Sequence, residues 1–289
     1  MAAAALLAAV ALLAAATRAP AAGAKIAWAT GPAFQRQLAA PVDIVWKVPL
    51  REALVSLSRA ERMAILLDRR VDPGQRIEIK LASVPLAEAL AKIARNRQLG
   101  LSMLGPVAYF GPPEAASRLR TIAVLRQEEI RRLEPAMAAR LLHSKSLAWE
   151  DFATPRELLG RLAAEAAVEI DGQARVPHDL WPAAELPPMP WTDRVTLVAA
   201  EFDLTFDLTD GGRRIQLVGL PEKIALVRSY PAGPNPDALA KRFKAMAPQA
   251  EVKISGDKVW VRGRLEDHEQ IASPTRPAGE AKKDRSRGY

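Results

Sequence analysis

VPLREAL at residues 48–54 and VPLAEAL at residues 84–90 are nearly the same heptapeptide written twice. Around the first, Leu50, Leu54 and Leu57 fall at i, i+4 and i+7; around the second, Leu86, Leu90 and Ile93 do the same. That spacing lays one apolar stripe along a helix. Pro49 and Pro85 stand where each helix opens, because a first-turn proline gives up no N–H that the helix needs. A strand-like run precedes each helix, DIVWK (43–47) and RIEIKL (76–81), and a short apolar run follows, MAILLD (63–68) and LGLSML (99–104). In RIEIKL, Ile77, Ile79 and Leu81 alternate with charged residues, the pattern of a half-buried strand. VDPGQ (71–75) is a turn between the halves.

The heptapeptide therefore opens the helix of each of two βαβ halves. Together they predict a β-α-β-β-α-β unit over residues 42–112, closed by PVAYF (106–110) as a further strand. Two helices on one face of a small mixed sheet make a two-layer α+β domain.

The pattern returns downstream of a connecting segment (119–146). LAWED (147–151) carries Trp149 much as DIVWK carries Trp46, and PRELLGRLAAEAAVEID (155–171) parallels residues 50–68, with Asp171 in the place of Asp68. The middle of this second copy (147–222), RVPHDLWPAAELPPMPW (175–191), is rich in proline, which predicts that its third strand is short or lost. A helix follows over 192–202 with Thr192 as its N-cap. LTFDL (204–208) and RIQLVG (214–219) make a hairpin, with Gly211 and Gly212 free to take positive φ. A third unit over 223–272 reads strand (223–230), helix (236–247), hairpin (251–263) and a short second helix (265–271), a βαββ module.

The run VPLREAL…ILLD…IEIKLASVPLAEALAKI…LGLSML…VAYF resembles the short amino-terminal domain shared by secretins and TonB-dependent receptors. The second copy is similar to it outside its Pro-rich middle. The third unit resembles the ring-building βαββ modules that follow this domain in secretins, and KVWVRGRLEDHEQI (258–271) is close to their usual ending. Neither a secretin pore domain nor a receptor barrel is recognisable. The resemblance implies a non-enzymatic protein–protein interaction protein of the bacterial envelope, with a secretion or TonB-type complex, or another copy of itself, as partner.

The ends of the chain bear on the same expectation. Residues 2–16 are continuously apolar, short of the roughly 20 residues a transmembrane helix needs. They match the core of an export signal without the usual positive residue before it, and Ala22, Gly23 and Ala24 fit its cleavage rule. So 1–24 reads as a signal peptide and the mature chain as periplasmic or secreted, with an uncleaved membrane anchor or a misassigned start as the alternatives. The tail, 273–289, is polar and basic and reads as disordered. The chain of 289 residues carries a formal net charge of +8, which permits an anionic partner without naming one. It has no cysteine, which excludes disulfides, thiolate nucleophiles and zinc–thiolate sites.

Motifs of catalysis are missing. His143, His178 and His268 fall in no metal-ligand spacing, and there is no G-x-S-x-G, P-loop or G-x-G-x-x-G. His178-Asp179 lies in the Pro-rich loop and is not read as catalytic, Glu150-Asp151 and Glu266-Asp267 read as solvated, and Asp68 and Asp171 as strand-end or turn residues. The expectation is a protein with no enzymatic activity, cofactor, metal or small-molecule substrate. Nucleic-acid binding is the alternative, but LRQEEIRRL (125–133) mixes its bases with acids and AKKDRSRG (281–288) has no aromatic for stacking. Trp46, Trp149, Trp181 and Trp191 could form a ligand platform; core packing is the reading preferred, since large aromatics dominate small cores. ELPPMPW (185–191) has polyproline character and could dock in an aromatic groove, and is read instead as a rigid loop. For partner binding the third unit is chosen. KVWVRG (258–263) is taken as an edge strand with weak charge protection, and Trp260, Val259, Val261 and Phe243 of the neighbouring helix become the candidate contact residues.

Overall fold

The computed structural model describes residues 27–273. The expected signal peptide lies outside these residues, as does the tail from residue 274 onward. After a first helix, α1 (Gly31–Ala39), come β1 (Pro41–Pro49), α2 (Leu50–Ala60), β2 (Ala64–Leu67), β3 (Arg76–Pro85), α3 (Leu86–Asn96), β4 (Gly100–Leu104) and β5 (Val107–Gly111). Pro49 and Pro85 sit one residue earlier than a first-turn reading places them: each ends a strand and occupies the N-cap, at φ −56° and −54°. The ring-fixed φ suits that extended-to-helical transition. The two leucine stripes point inward, and Leu50, Leu54, Leu57, Leu86, Leu90 and Ile93 are all buried.

The strands of the α+β unit do not form one sheet under both helices, which corrects the two-layer expectation. They divide into a two-stranded antiparallel sheet, β1–β3, and a three-stranded sheet in which β5 lies between β2 (parallel) and β4 (antiparallel). The physical reason lies in the helices. Beside each leucine stripe are buried alanines, Ala53 on α2 and Ala89 and Ala94 on α3, so the apolar surface is too wide for one sheet to cover. One core draws Val42, Ile44 and Ile77 from the first sheet and Ala108 and Phe110 from the second. β5 is buried on both faces: Val107 and Tyr109 belong to the next core along.

The segment read as connecting is structural. α4 (Pro113–Ile130) and α5 (Pro135–Leu141) pack Leu119, Ala123, Ile130 and Leu141 into that second core. The second copy follows as β6 (Ser144–Trp149), α6 (Pro155–Ala166), β7 (Glu169–Asp171), β8 (Ala184–Pro190), α7 (Trp191–Ala200), β9 (Leu204–Thr209) and β10 (Arg214–Gly219). Its topology is that of the first: β6 pairs antiparallel with β8, and β10 lies between β7 (parallel) and β9 (antiparallel). The third strand expected to be short or lost is present as β8. Its ladder skips between Lys145 and Leu147, which pair with Met189 and Leu186, so Pro187 and Pro188 fall at a bulge. A two-stranded sheet also leaves β8 one open edge, where a missing N–H breaks no ladder bond. ELPPMPW is thus neither loop nor free polyproline segment. Thr192 is not the N-cap of α7; Pro190 is, and the Thr192 hydroxyl donates to the Leu141 carbonyl at 2.9 Å. Gly211 and Gly212 do take positive φ, +60° and +87°.

The third module is β11 (Leu226–Pro231), α8 (Pro236–Met246), β12 (Glu251–Ser255), β13 (Lys258–Gly263) and α9 (Leu265–Ala272). The sheet order is β11-β13-β12, with both outer strands antiparallel to β13. KVWVRG is therefore the central strand, not an edge, and the free edges are β11 and β12. The module has its own small core and meets the rest through polar contacts on α4. Arg120 pairs with Glu266 and Glu269, the Leu265 N–H donates to Thr121 Oγ1 at 3.0 Å, and Arg228 faces Glu128 at 3.5 Å. No helix among the described residues is long and apolar enough to cross a membrane.

Candidate interaction surface

Alternation along β13 decides what its sheet offers. Val259 and Val261 turn toward α8 and α9 and are fully buried, as is Phe243 on α8. Three of the four residues proposed for partner contact are thus core. Trp260 points the other way and is 41% exposed. Residues directly across from it and two positions along the ladder share its face: Ser229 and Lys253 beside it, Lys258 and Arg262 before and after it, Val227 and Glu251 beside Arg262. All of these are exposed. No other segment of the described chain covers the face. Lys253, Lys258 and Arg262 have no ion-pair partner among the described residues, although Glu251 stands across the ladder from Arg262.

The arrangement is an open β-sheet face with one tryptophan at its centre, three cations around it and one carboxylate at its margin. Trp260 supplies a broad apolar contact at little conformational cost, and the cations favour an anionic companion. Beside the face, a recess of about 320 Å³ reaches toward α4. Its lining sets four cations, Arg118, Lys223, Arg262 and Arg264, against three carboxylates, Glu222, Glu251 and Asp267, so the two signs nearly balance.

The other singled-out residues separate. The four tryptophans form no platform. Trp149 and Trp181 pack 5.9 Å apart in the second core, Trp191 meets Phe206 elsewhere in it, and Trp46 lies half-buried on β1. His268 is buried between the Tyr230 hydroxyl (2.8 Å) and the Leu226 carbonyl (3.2 Å), and burial pushes its pKa down. His143 and His178 are exposed. Asp171 pairs with Arg214 at 3.4 Å and is not brought to Asp68. Among the described residues no group of three or more acidic or histidine side chains is placed to hold a metal ion.

A polar cluster between the two copies escaped the sequence reading. Asp68 is buried, accepts from the Tyr109 hydroxyl and from the Arg70 backbone N–H at 2.8 Å, and takes two bonds from the Arg70 guanidinium, at 2.8 and 2.7 Å. Arg70 reaches on to Asp203 (2.6 Å) and the Ala200 carbonyl (3.0 Å) of the second copy. Arg69 bonds Asp179 at 2.5 Å and lies 4.9 Å over Phe202, which stacks on Trp181. Its backbone N–H donates to Glu201. Burial, with Asp68 nearby, raises the Glu201 pKa well above the ordinary range. Arg69 and Arg70 carry the bonds across the joint, to Asp179, Glu201, Asp203 and the Ala200 carbonyl, while Asp68 and Tyr109 hold Arg70 from the first copy, so the cluster ties the copies together. The signal was two charged triplets, DRR (68–70) and EFD (201–203), each directly after a regular element. Nothing local shows that they meet.

No family model and no curated protein matches the chain.

Proposed function

We propose that this chain is a non-enzymatic, exported interaction protein of a bacterial envelope, related to the periplasmic modules of secretins or TonB-type transducers. In this reading the joined pair of copies is a rigid base, and the third module presents the contact surface to an envelope protein. The observation that carries it is Trp260, an exposed tryptophan at the centre of a sheet face that no part of the described chain covers. Exposed large aromatics of this kind are the residues that dominate protein interfaces.

The test has two arms. A reporter active only outside the cytoplasm, fused after residue 30, reads export; silence counts against the envelope assignment. Capture of a defined partner from envelope extract is then compared for the native chain and Trp260→Ala. The substituted chain should keep its circular dichroism and melting behaviour and lose the partner. Retained capture by the Trp260→Ala chain moves the contact surface elsewhere.

A further inference from the structure

Resting on that reading of the third module and sharpening it, we propose that the free edge of β12 takes up an extended segment of the partner polypeptide in which acidic and apolar residues alternate. β12 is the outer strand of the order β11-β13-β12, and its ladder runs to β13 alone. Among the described residues the backbone of 251–255 makes no other backbone hydrogen bond. Such an edge is a template for one more strand.

The two faces beside this edge ask for different side chains. On the outer face Lys253 lies across from Trp260, with Lys258 and Arg262 close by and unpaired and one carboxylate, Glu251, at the start of the strand. On the inner face Ile254 lies across from Val259; Val259 is fully buried, but Ile254 is 41% exposed. An added strand sends alternate side chains to the two faces. Those beside Lys253 are favoured when acidic, since opposite charges on neighbouring strands attract. Those beside Ile254 are favoured when apolar, because they cover a surface now in water.

The opposite edge is less open. Arg228 of β11 faces Glu128 of α4, and the Leu226 carbonyl is held by His268. A second copy of this chain is the weaker occupant, since LVRSYP of β11 has no acid and EVKIS of β12 has a single one, Glu251, to set beside Lys253. A single-stranded nucleic acid would use the cations and Trp260 but leave the edge N–H and C=O groups and Ile254 unanswered.

The full chain should be titrated with a synthetic peptide alternating glutamate and valine, with hydrogen exchange of residues 251–255 as the readout. Binding with slowed exchange there is expected. A peptide of the same composition arranged in blocks should bind poorly. So should the alternating peptide N-methylated on the edge that would face β12. Lys253→Glu should weaken the acidic peptide about tenfold and favour an alternating lysine–valine peptide instead. Equal binding of the N-methylated or block peptide, or no binding of the alternating one, overturns strand addition. So does preferential protection of 251–255 by a single-stranded oligonucleotide, or by self-association that the peptide fails to displace. A chain that captures its envelope partner through Trp260 yet ignores the peptide keeps the proposed function and loses only this inference.

Discussion

Helices α3 and α7 hold the same place in the two copies and meet different surroundings. Each follows a strand-ending proline, and Trp191, Val195 and Val198 of α7 stand where α3 has Leu86, Leu90 and Ile93. On α3 the far face is wet, with Glu88 paired to Lys92 at 2.8 Å in water. On α7 every residue is buried, including Asp193 and Arg194. The cause is position in the chain. The first copy stands at the outside, whereas the second is packed by α4 and α5, which close over α7. One topology can therefore serve as an end piece or as a centre, and what changes is the chemistry demanded of its outward residues. Asp193 and Leu197 stand where α3 has the wet pair Glu88 and Lys92. At a position buried in both copies Arg194 replaces Ala89, held by two bonds to Glu165 at 2.8 and 2.6 Å, which keep the Glu165 carboxyl below its ordinary range.

That difference is broken most severely at Arg194. Arg194→Ala should cost about 3–5 kcal/mol, since it empties an enclosed site and strips Glu165 of its main partner. Lys92→Ala, on the matching helix of the first copy, should change stability by no more than about 0.5 kcal/mol. Urea unfolding of the two variants measures both. Similar midpoints would mean that α7 is not enclosed.

Asp193 gives a smaller effect with a sign. Burial lifts its pKa to about 6, against the hydrogen bond from Gln127 that opposes the shift. The folded state then holds this proton more tightly than the unfolded chain does. The stabilisation is complete below the unfolded pKa of roughly 4 and is lost as pH rises through about 6. A shift of about two units corresponds to about 3 kcal/mol at neutral pH. Asp193→Asn should therefore stabilise the protein at pH 7 and make no difference near pH 4. Glu88→Gln on α3, in water, should show no such pH-dependent gain. Thermal melts across that range distinguish the two.

How much of this was legible in the chain follows from which signals are local. The heptapeptides gave both helices of the first copy, and the alternation of RIEIKL and KVWVRG gave strands, because periodicity is written in neighbouring residues. The pairing of strands is not. Nothing in DIVWK says that β1 takes only β3 as a partner, and nothing in KVWVRG says that strands flank it on both sides. The same limit sorted the candidate site wrongly. Alternation puts Trp260 opposite Val259 and Val261, but only the sheet order and the helix above it decide which face is core. The Asp68–Arg70–Glu201 joint was illegible for the same reason, since its members are far apart in the chain. β8 was misjudged by a rule that holds for central strands, whereas its prolines lie at a bulge in a two-stranded sheet.

That bulge sets the finest contrast between the copies. In the first, the ladder skips between Val42 and Ile44, which pair with Val84 and Leu81, so Ala82 and Ser83 face Asp43. Ser83 adopts φ +48°, and its N–H donates to the Asp43 carboxylate at 2.9 Å. In the second, Pro187 and Pro188 fill the matching places and Ser146 stands for Asp43. Pro188 has no N–H to satisfy, and neither proline has a positive φ. Two solutions thus serve one bulge: a carboxylate that caps a strained residue, or a ring that removes the donor and fixes φ. Asp43→Ala should cost about 1 kcal/mol, the worth of a solvent-exposed bond to a charged acceptor. Ser146→Ala should cost close to nothing. Ser83→Gly should recover about 1 kcal/mol by relieving the left-handed backbone, offset by the greater freedom of glycine in the unfolded chain. Chemical denaturation of the three variants reads the order. Equal losses at Asp43 and Ser146 would show that both bulges depend on their facing side chain, and that the prolines of β8 play no part in holding the second.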